Sequence, residues 1–180
     1  MNPSIQDFSA VGLGLLTARL VLGLLMAGHG AQKLFGWFGG HGLQGTGGFF
    51  ETLGYRPGRL FAAAAGATEV AGGLLIALGL LGPIGPALVV SVMIVAAVTV
   101  HWNQGVFATS GGFEVPLLYA TGAIALALTG YGAFSLDAVT GLHQLWNPAL
   151  VVGALVVGVV GGIGNLFARR PALQLSRSEA

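Results

Sequence analysis

The chain contains no cysteine, which excludes a disulfide framework, thiolate-held zinc or iron-sulfur centres and thiol-exchange chemistry. Charge is almost as scarce, with seven Lys and Arg and six Asp and Glu among 180 residues, or 7% of the chain. A soluble domain carries about a quarter, because a folded surface must hold its water. The surface must therefore face something apolar, and a lipid bilayer is the partner this composition indicates. A net charge of +1 supplies too few cations to neutralise a phosphate backbone, so nucleic acid is excluded as a partner. Any redox role must rest on a borrowed cofactor or a partner.

What the chain has in quantity is apolar sequence, 54% hydrophobic with 32 glycines. A spanning helix needs about 20 mainly apolar residues. Five segments qualify, at about 10–35, 60–81, 84–102, 115–131 and 148–168, the fourth being the shortest. They predict an all-α integral membrane protein, a single transmembrane domain over residues 1–180. GPIGP between segments two and three is short enough to force an antiparallel helical hairpin. The N-terminus lacks a basic region and the first apolar stretch is too long for a signal peptide, so segment one is expected to stay.

Orientation follows from the basic residues, which cytoplasmic flanks retain. Lys33, Arg56 and Arg59 flank the loop between segments one and two, and Arg169, Arg170 and Arg177 follow segment five. With five spans these regions share one side, while residues 1–9, GPIGP and 134–147 hold no Lys or Arg. The expectation is an N-terminus outside and a C-terminus in the cytoplasm of a bacterial inner (plasma) membrane. Loop 36–59, with nine glycines in 24 residues, reads as irregular and interfacial because of Trp37, Phe38, Phe49, Phe50, Leu53 and Tyr55. Its GGHGLQGTGG lacks the Lys-Ser/Thr of a phosphate-binding loop and follows a membrane helix.

Ionisable residues at membrane depth are costly and are default functional candidates. Arg19, His29 and Lys33 fall within an arc of about 80° on helix one, together with Gly12, Gly23, Met26 and Gly30. In segment two, Ala62, Gly66, Glu69 and Gly73 form a small-residue stripe with a carboxylate at its centre. That stripe should meet the polar face of helix one, with Glu69 paired to Arg19, His29 or Lys33. The ends of segments three and four bring His101 and Glu114 to the same side, where they are expected to form a polar rim with Lys33 and His29. No HxxxH or ExxH spacing is present, so no metal site is expected. Tyr119 and Thr121 read as helix-helix hydrogen-bonding residues, and His41 and His143 as solvated loop histidines. Ser135 and Asp137 suit the cap of a short surface helix. Gly158 and Gly162 make a GxxxG pattern for packing or oligomerisation.

ARLVLGLLMAGHGAQKLFG, GATEVAGGLLIALGLLGP and FEVPLLYATGAIALALTGYGAFSLD resemble the signature regions of the DoxX family of small membrane proteins. The likeness spans about Leu13 to Asp137. It places family positions on Arg19, Gly23, His29, Gly30 and Lys33, on Glu69 and Gly73, and on Glu114, Gly130, Gly132, Ser135 and Asp137. Two features depart from the usual pattern: GYG stands where GPG is common before SLD, and a fifth apolar segment follows. The resemblance implies an antiparallel four-helix transmembrane core, here with a fifth C-terminal helix, in a subunit of an oxidoreductase assembly. Thiosulfate:quinone oxidoreductase is among the named relatives of that family.

Three functions compete at this point. In the first, the chain is a quinone-linked oxidoreductase subunit, with Arg19, His29, Lys33, Glu69, His101 and Glu114 as ligand-binding candidates and Gly23, Gly30, Gly73, Ser135 and Asp137 as structural positions. In the second, it is a non-catalytic anchor or assembly subunit for a partner protein, working as a homo-oligomer or beside a redox subunit. In the third, it is a small-solute transporter, for which no inverted pair of broken helices is evident.

Overall fold

The computed structural model describes residues 10–170, which among themselves form helices and no strand. Helix α1 runs Ala10–Phe35, α2 Gly42–Thr52, α3 Gly58–Leu78, α4 Ile84–Ala96, α5 Glu114–Thr129, α6 Leu136–Thr140 and α7 Pro148–Leu166. Past Ala96, α4 continues through a π-helical turn at Ala97–His101 and a 3-10 turn at Trp102–Gln104. Four stretches are long and apolar enough to cross a bilayer: Ala10–Phe35, Gly58–Leu78, Ile84–Gln104 and Pro148–Leu166. The fourth expected segment is different. It is a helix of 16 residues, about 24 Å long against a hydrocarbon core of about 30 Å. It stops at Gly130, φ 74°, with Gly132 also left-handed at φ 73°, so the chain turns aside two residues earlier than the apolar run suggests.

The closest helix pair is α1 on α3. A Cβ built on Gly23 would lie 2.5 Å from the Gly73 carbonyl oxygen, and one on Gly73 would lie 2.5 Å from both the Ala27 nitrogen and the Gly23 carbonyl oxygen. Gly30 faces the Gly66 carbonyl in the same way. The two glycine stripes therefore meet backbone to backbone, which is how membrane helices gain dispersion contact when lipid offers no hydrophobic drive. Met26, Ile76, Val89, Val90, Met93, Ala123 and Leu126 fill the core beside them.

Helix α3 ends at Leu78 rather than at residue 81 because Gly79 takes the left-handed conformation, φ 64° and ψ 50°. The Leu80 amide then donates to Leu75 O at 2.9 Å, a Schellman closure. Segment 36–59 also departs from expectation: instead of an irregular loop it forms a 3-10 turn at Trp37–Gly39 and the eleven-residue α2. Four glycines weaken a helix by propensity alone, so packing decides the outcome. Gly47 and Gly58 are the points where α2 rests on the start of α3, and a side chain on Gly58 would strike Gly47 O. The Glu51 carboxylate accepts from the Gly58 amide at 3.2 Å.

Helix α7 starts at Asn147, whose side chain accepts from the Leu150 amide at 3.0 Å, with Pro148 in the first turn. Its Gly158 and Gly162 lie against Ala87 and Ser91 of α4, so the GxxxG face is used inside the chain. Arg169 Nε donates to Leu53 O at 2.9 Å and the Arg170 amide to Gly54 O at 2.8 Å. These bonds bring the end of α7 to the loop that joins α2 and α3. Arg177 lies outside the described residues.

Candidate functional site

Lys33 sits in the last turn of α1 and Glu69 lies about 16 Å along α3. The close glycine crossing brings the two faces together. Lys33 Nζ donates to both carboxylate oxygens of Glu69, at 2.7 and 2.6 Å. The pair is unequal in exposure, with 27% of the lysine side chain accessible against 2% of the glutamate. A buried carboxylate held by a partly accessible ammonium is a site that can be approached from the lysine side.

His29 lies one turn before Lys33. Its Nδ1 is 3.2 Å from Gln32 Oε1, and Gln32 Nε2 in turn donates to Phe38 O at 3.2 Å. The ring stands edge-on to Tyr119 of α5, with 5.7 Å between centroids and an angle of 81°. His29 and Tyr119 are both within electrostatic reach of Glu69. The site is thus built by α1, α3 and α5. Tyr119, read from the sequence as a helix-helix hydrogen-bonding residue, instead offers an aromatic edge beside the ion pair.

The other expected members of the rim spend their side chains elsewhere. His101 Nδ1 is 2.6 Å from Gly111 O, and Glu114 Oε2 accepts from the Ala108 amide at 2.8 Å. Together with the stacked rings of Trp102 and Phe113, 5.4 Å apart, they close the loop between α4 and α5. Both groups are bound to backbone, and none of these bonds reaches Lys33 or Glu69.

Arg19 requires a correction. It shares the angular face of Lys33, but 14 residues of helix separate them by about 21 Å. Arg19 is 1% exposed, and its guanidinium donates to Phe134 O at 2.8 Å and lies 5.7 Å from the Tyr131 ring centroid. This contact is worth up to about 2 kcal/mol when desolvated. Nε and Nη1 have no hydrogen-bond partner among the described residues. Arg19 therefore belongs to a second polar cluster at the opposite end of α1 and is not part of the Glu69 site.

Ser135 and Asp137 form the rest of that second cluster. Ser135 caps α6 as expected, its hydroxyl accepting from the Ala138 amide at 3.1 Å and donating to Gly132 O at 2.6 Å. Asp137 does something the sequence reading missed. Buried at 2% exposure, it accepts from the Leu81 amide at 2.9 Å, the Gly82 amide at 2.7 Å and Trp146 Nε1 at 2.9 Å. It thereby fixes the α3–α4 turn, where Leu81 has φ 58°, a conformation that β-carbon sterics disfavour. The signal available in sequence was SLD followed nine residues later by Trp146; nothing in it named the turn as partner. His143 is exposed, as expected of a loop histidine, and its Nδ1 lies 3.2 Å from Asp137 O.

Comparison with curated proteins gives no match, and comparison with solved structures gives none. A family model does match, that of DoxX over residues 14–102. The matched stretch holds Arg19, His29, Lys33, Glu69 and His101, together with both glycine stripes. With its long apolar helices and this domain, the chain is a membrane protein of the DoxX family.

Proposed function

We propose that this protein is the membrane subunit of a quinone-linked oxidoreductase assembly, and that the Lys33–Glu69 pair is where it meets its small-molecule ligand. The observation that carries this reading is the pair itself, a carboxylate sealed at membrane depth and held by an ammonium that is partly accessible. A quinone supplies two-electron, two-proton acceptance. Lys33 and His29 are positioned to donate hydrogen bonds to an acceptor oxygen arriving from the accessible side, and Glu69 keeps Lys33 aimed. Tyr119 adds an aromatic edge for a flat ring. His101 and Glu114, tied to the α4–α5 loop, shape the approach from the same end.

In the same reading the chain is one transmembrane domain of five antiparallel spans, with α5 the short one and segment 36–59 lying along the headgroups. The basic residues at 33, 56, 59, 169 and 170 support a reading with that end in the cytoplasm of a plasma membrane. The anchoring alternative draws on one further observation. Phe38, Phe107 and Phe167 are 75%, 68% and 84% exposed, which would suit a partner seated on that end.

The test is titration of the purified chain with a short-chain quinone, alongside Lys33→Met and Glu69→Gln. Saturable binding above micelle partition, weakened in both variants, is the expected result. Binding equal to partition into empty micelles, or unchanged in the variants, makes the anchoring subunit the better reading.

A further inference from the structure

Helices α5 and α7 both pack closely on α4 but touch each other sparingly, and α5 is too short to fill the wedge between them. What remains is a cavity of about 730 Å³ at the end of the bundle away from Lys33, bounded by the ends of α5 and α7 and by the chain from Gly130 to Trp146. It is preformed, because Asp137 locks its floor at Gly82 to its wall at Trp146. Its apolar side includes Leu128, Val139 and Val152, which are 62%, 80% and 52% exposed. In a bilayer these face acyl chains, so the cavity opens sideways into lipid.

The polar groups of the wall select the ligand. The Asp137 carboxylate is saturated by three N–H donors, the Ser135 hydroxyl is engaged on both sides, and Thr129 donates to Ala125 O at 2.8 Å. Among the described residues no Lys or Arg lines the cavity, so a phosphate headgroup would face a carboxylate with no Lys or Arg beside it. His143 is different. A carbonyl oxygen only accepts, so the bond to Asp137 O engages Nδ1 as a donor and leaves Nε2 for a ligand. The Tyr131 hydroxyl, buried in the same lining, has no hydrogen-bond partner among the described residues, and a ligand hydroxyl, which both donates and accepts, can serve it or His143.

We propose that this cavity binds a neutral, hydroxyl-bearing lipid drawn from the bilayer, its hydroxyl hydrogen-bonded to His143 Nε2 and its chain lying along Leu128, Val139 and Val152. Glycerides and prenyl alcohols share that chemistry. The site is separate from the Lys33–Glu69 pair and stands or falls without it.

The test uses the full chain in phosphatidylcholine vesicles, with exposed Trp37 and Trp102 replaced by Phe so that Trp146 reports alone. A monoacylglycerol with a dibrominated chain is the quenching probe. Quenching should saturate and exceed that by brominated phosphatidylcholine at equal mole fraction. His143→Ala should weaken it about fivefold, the worth of one neutral hydrogen bond. Val152→Phe should abolish it by filling the cavity, with Leu128→Phe in its place where that variant misfolds, while Val160→Phe, on a lipid-facing part of α7 outside the cavity lining, leaves it intact. Displacement by unbrominated mono-olein alone assigns the site to glycerides, and displacement by farnesol alone to prenyl alcohols. Quenching no stronger than by brominated phosphatidylcholine, or unchanged in His143→Ala or the cavity-filling variants, overturns the proposal.

Discussion

Lys33 and Glu69 should respond very unequally to mutation, although they form one ion pair. Glu69→Gln leaves an amide oxygen that can still accept from Lys33 Nζ, and a lysine already 27% exposed can carry its charge toward the headgroups. Its cost should be about 1 to 2 kcal/mol. Lys33→Met leaves the carboxylate alone at 2% exposure. Such a group is either a bare buried charge or a protonated acid, and protonating an ordinary glutamate at pH 7 costs about 4 kcal/mol. The loss in Lys33→Met should therefore be about two to four times that in Glu69→Gln. Combining the two should recover stability relative to Lys33→Met alone, because the orphaned charge is gone. The proton cost falls by about 1.4 kcal/mol per pH unit, so the deficit of Lys33→Met shrinks as pH is lowered from 8 to 5, while that of Glu69→Gln stays flat. Reversible unfolding in mixed micelles, with Glu51→Gln as the control, measures all four. Equal losses for the two single variants, strict additivity in the double, or a Lys33→Met deficit independent of pH would refute this account.

Asp137→Ala strands three N–H donors at the α3–α4 turn and should cost about 3 kcal/mol or more; a red shift of Trp146 emission reports its loss of that partner, and wild-type stability and emission would remove Asp137 as the clamp. Gly23→Leu drives a side chain into the backbone of α3 and should unfold the pair in detergent, while Gly28→Ala, with open space around it, should change stability by less than about 1 kcal/mol; equal effects would mean the stripes do not touch. A topology reporter within residues 138–146 should read as external and one at residue 45 as cytoplasmic, the reverse pattern inverting the proposed orientation.

Four of the five expected spans were legible because apolar run length and bilayer thickness are matched by physics rather than by partner choice. So was the meeting of α1 and α3, since glycine on one face has little use other than close approach. Arg19 was misplaced because angular position around a helix says nothing of axial separation, and 14 residues is most of a membrane. The helix at Gly42–Thr52 was hidden because its glycines argue against helix locally, and only the surface of α3 overrides them. Asp137 reads as a cap in sequence, where local hydrogen bonds are visible. Two of its three partners are 55 and 56 residues away. The cavity beside it was not foreseeable, because it arises from a mismatch of lengths among helices that only packing exposes.

The backbone contact at Gly23 and Gly73 bears on transport of charge as well as on packing. Where two helices touch main chain to main chain there is no room for a file of water between them, so the α1–α3 seam carries no water path from Glu69 toward the Arg19 end. Chemistry at the Lys33–Glu69 pair would consume or release protons without carrying them between α1 and α3 to the other end.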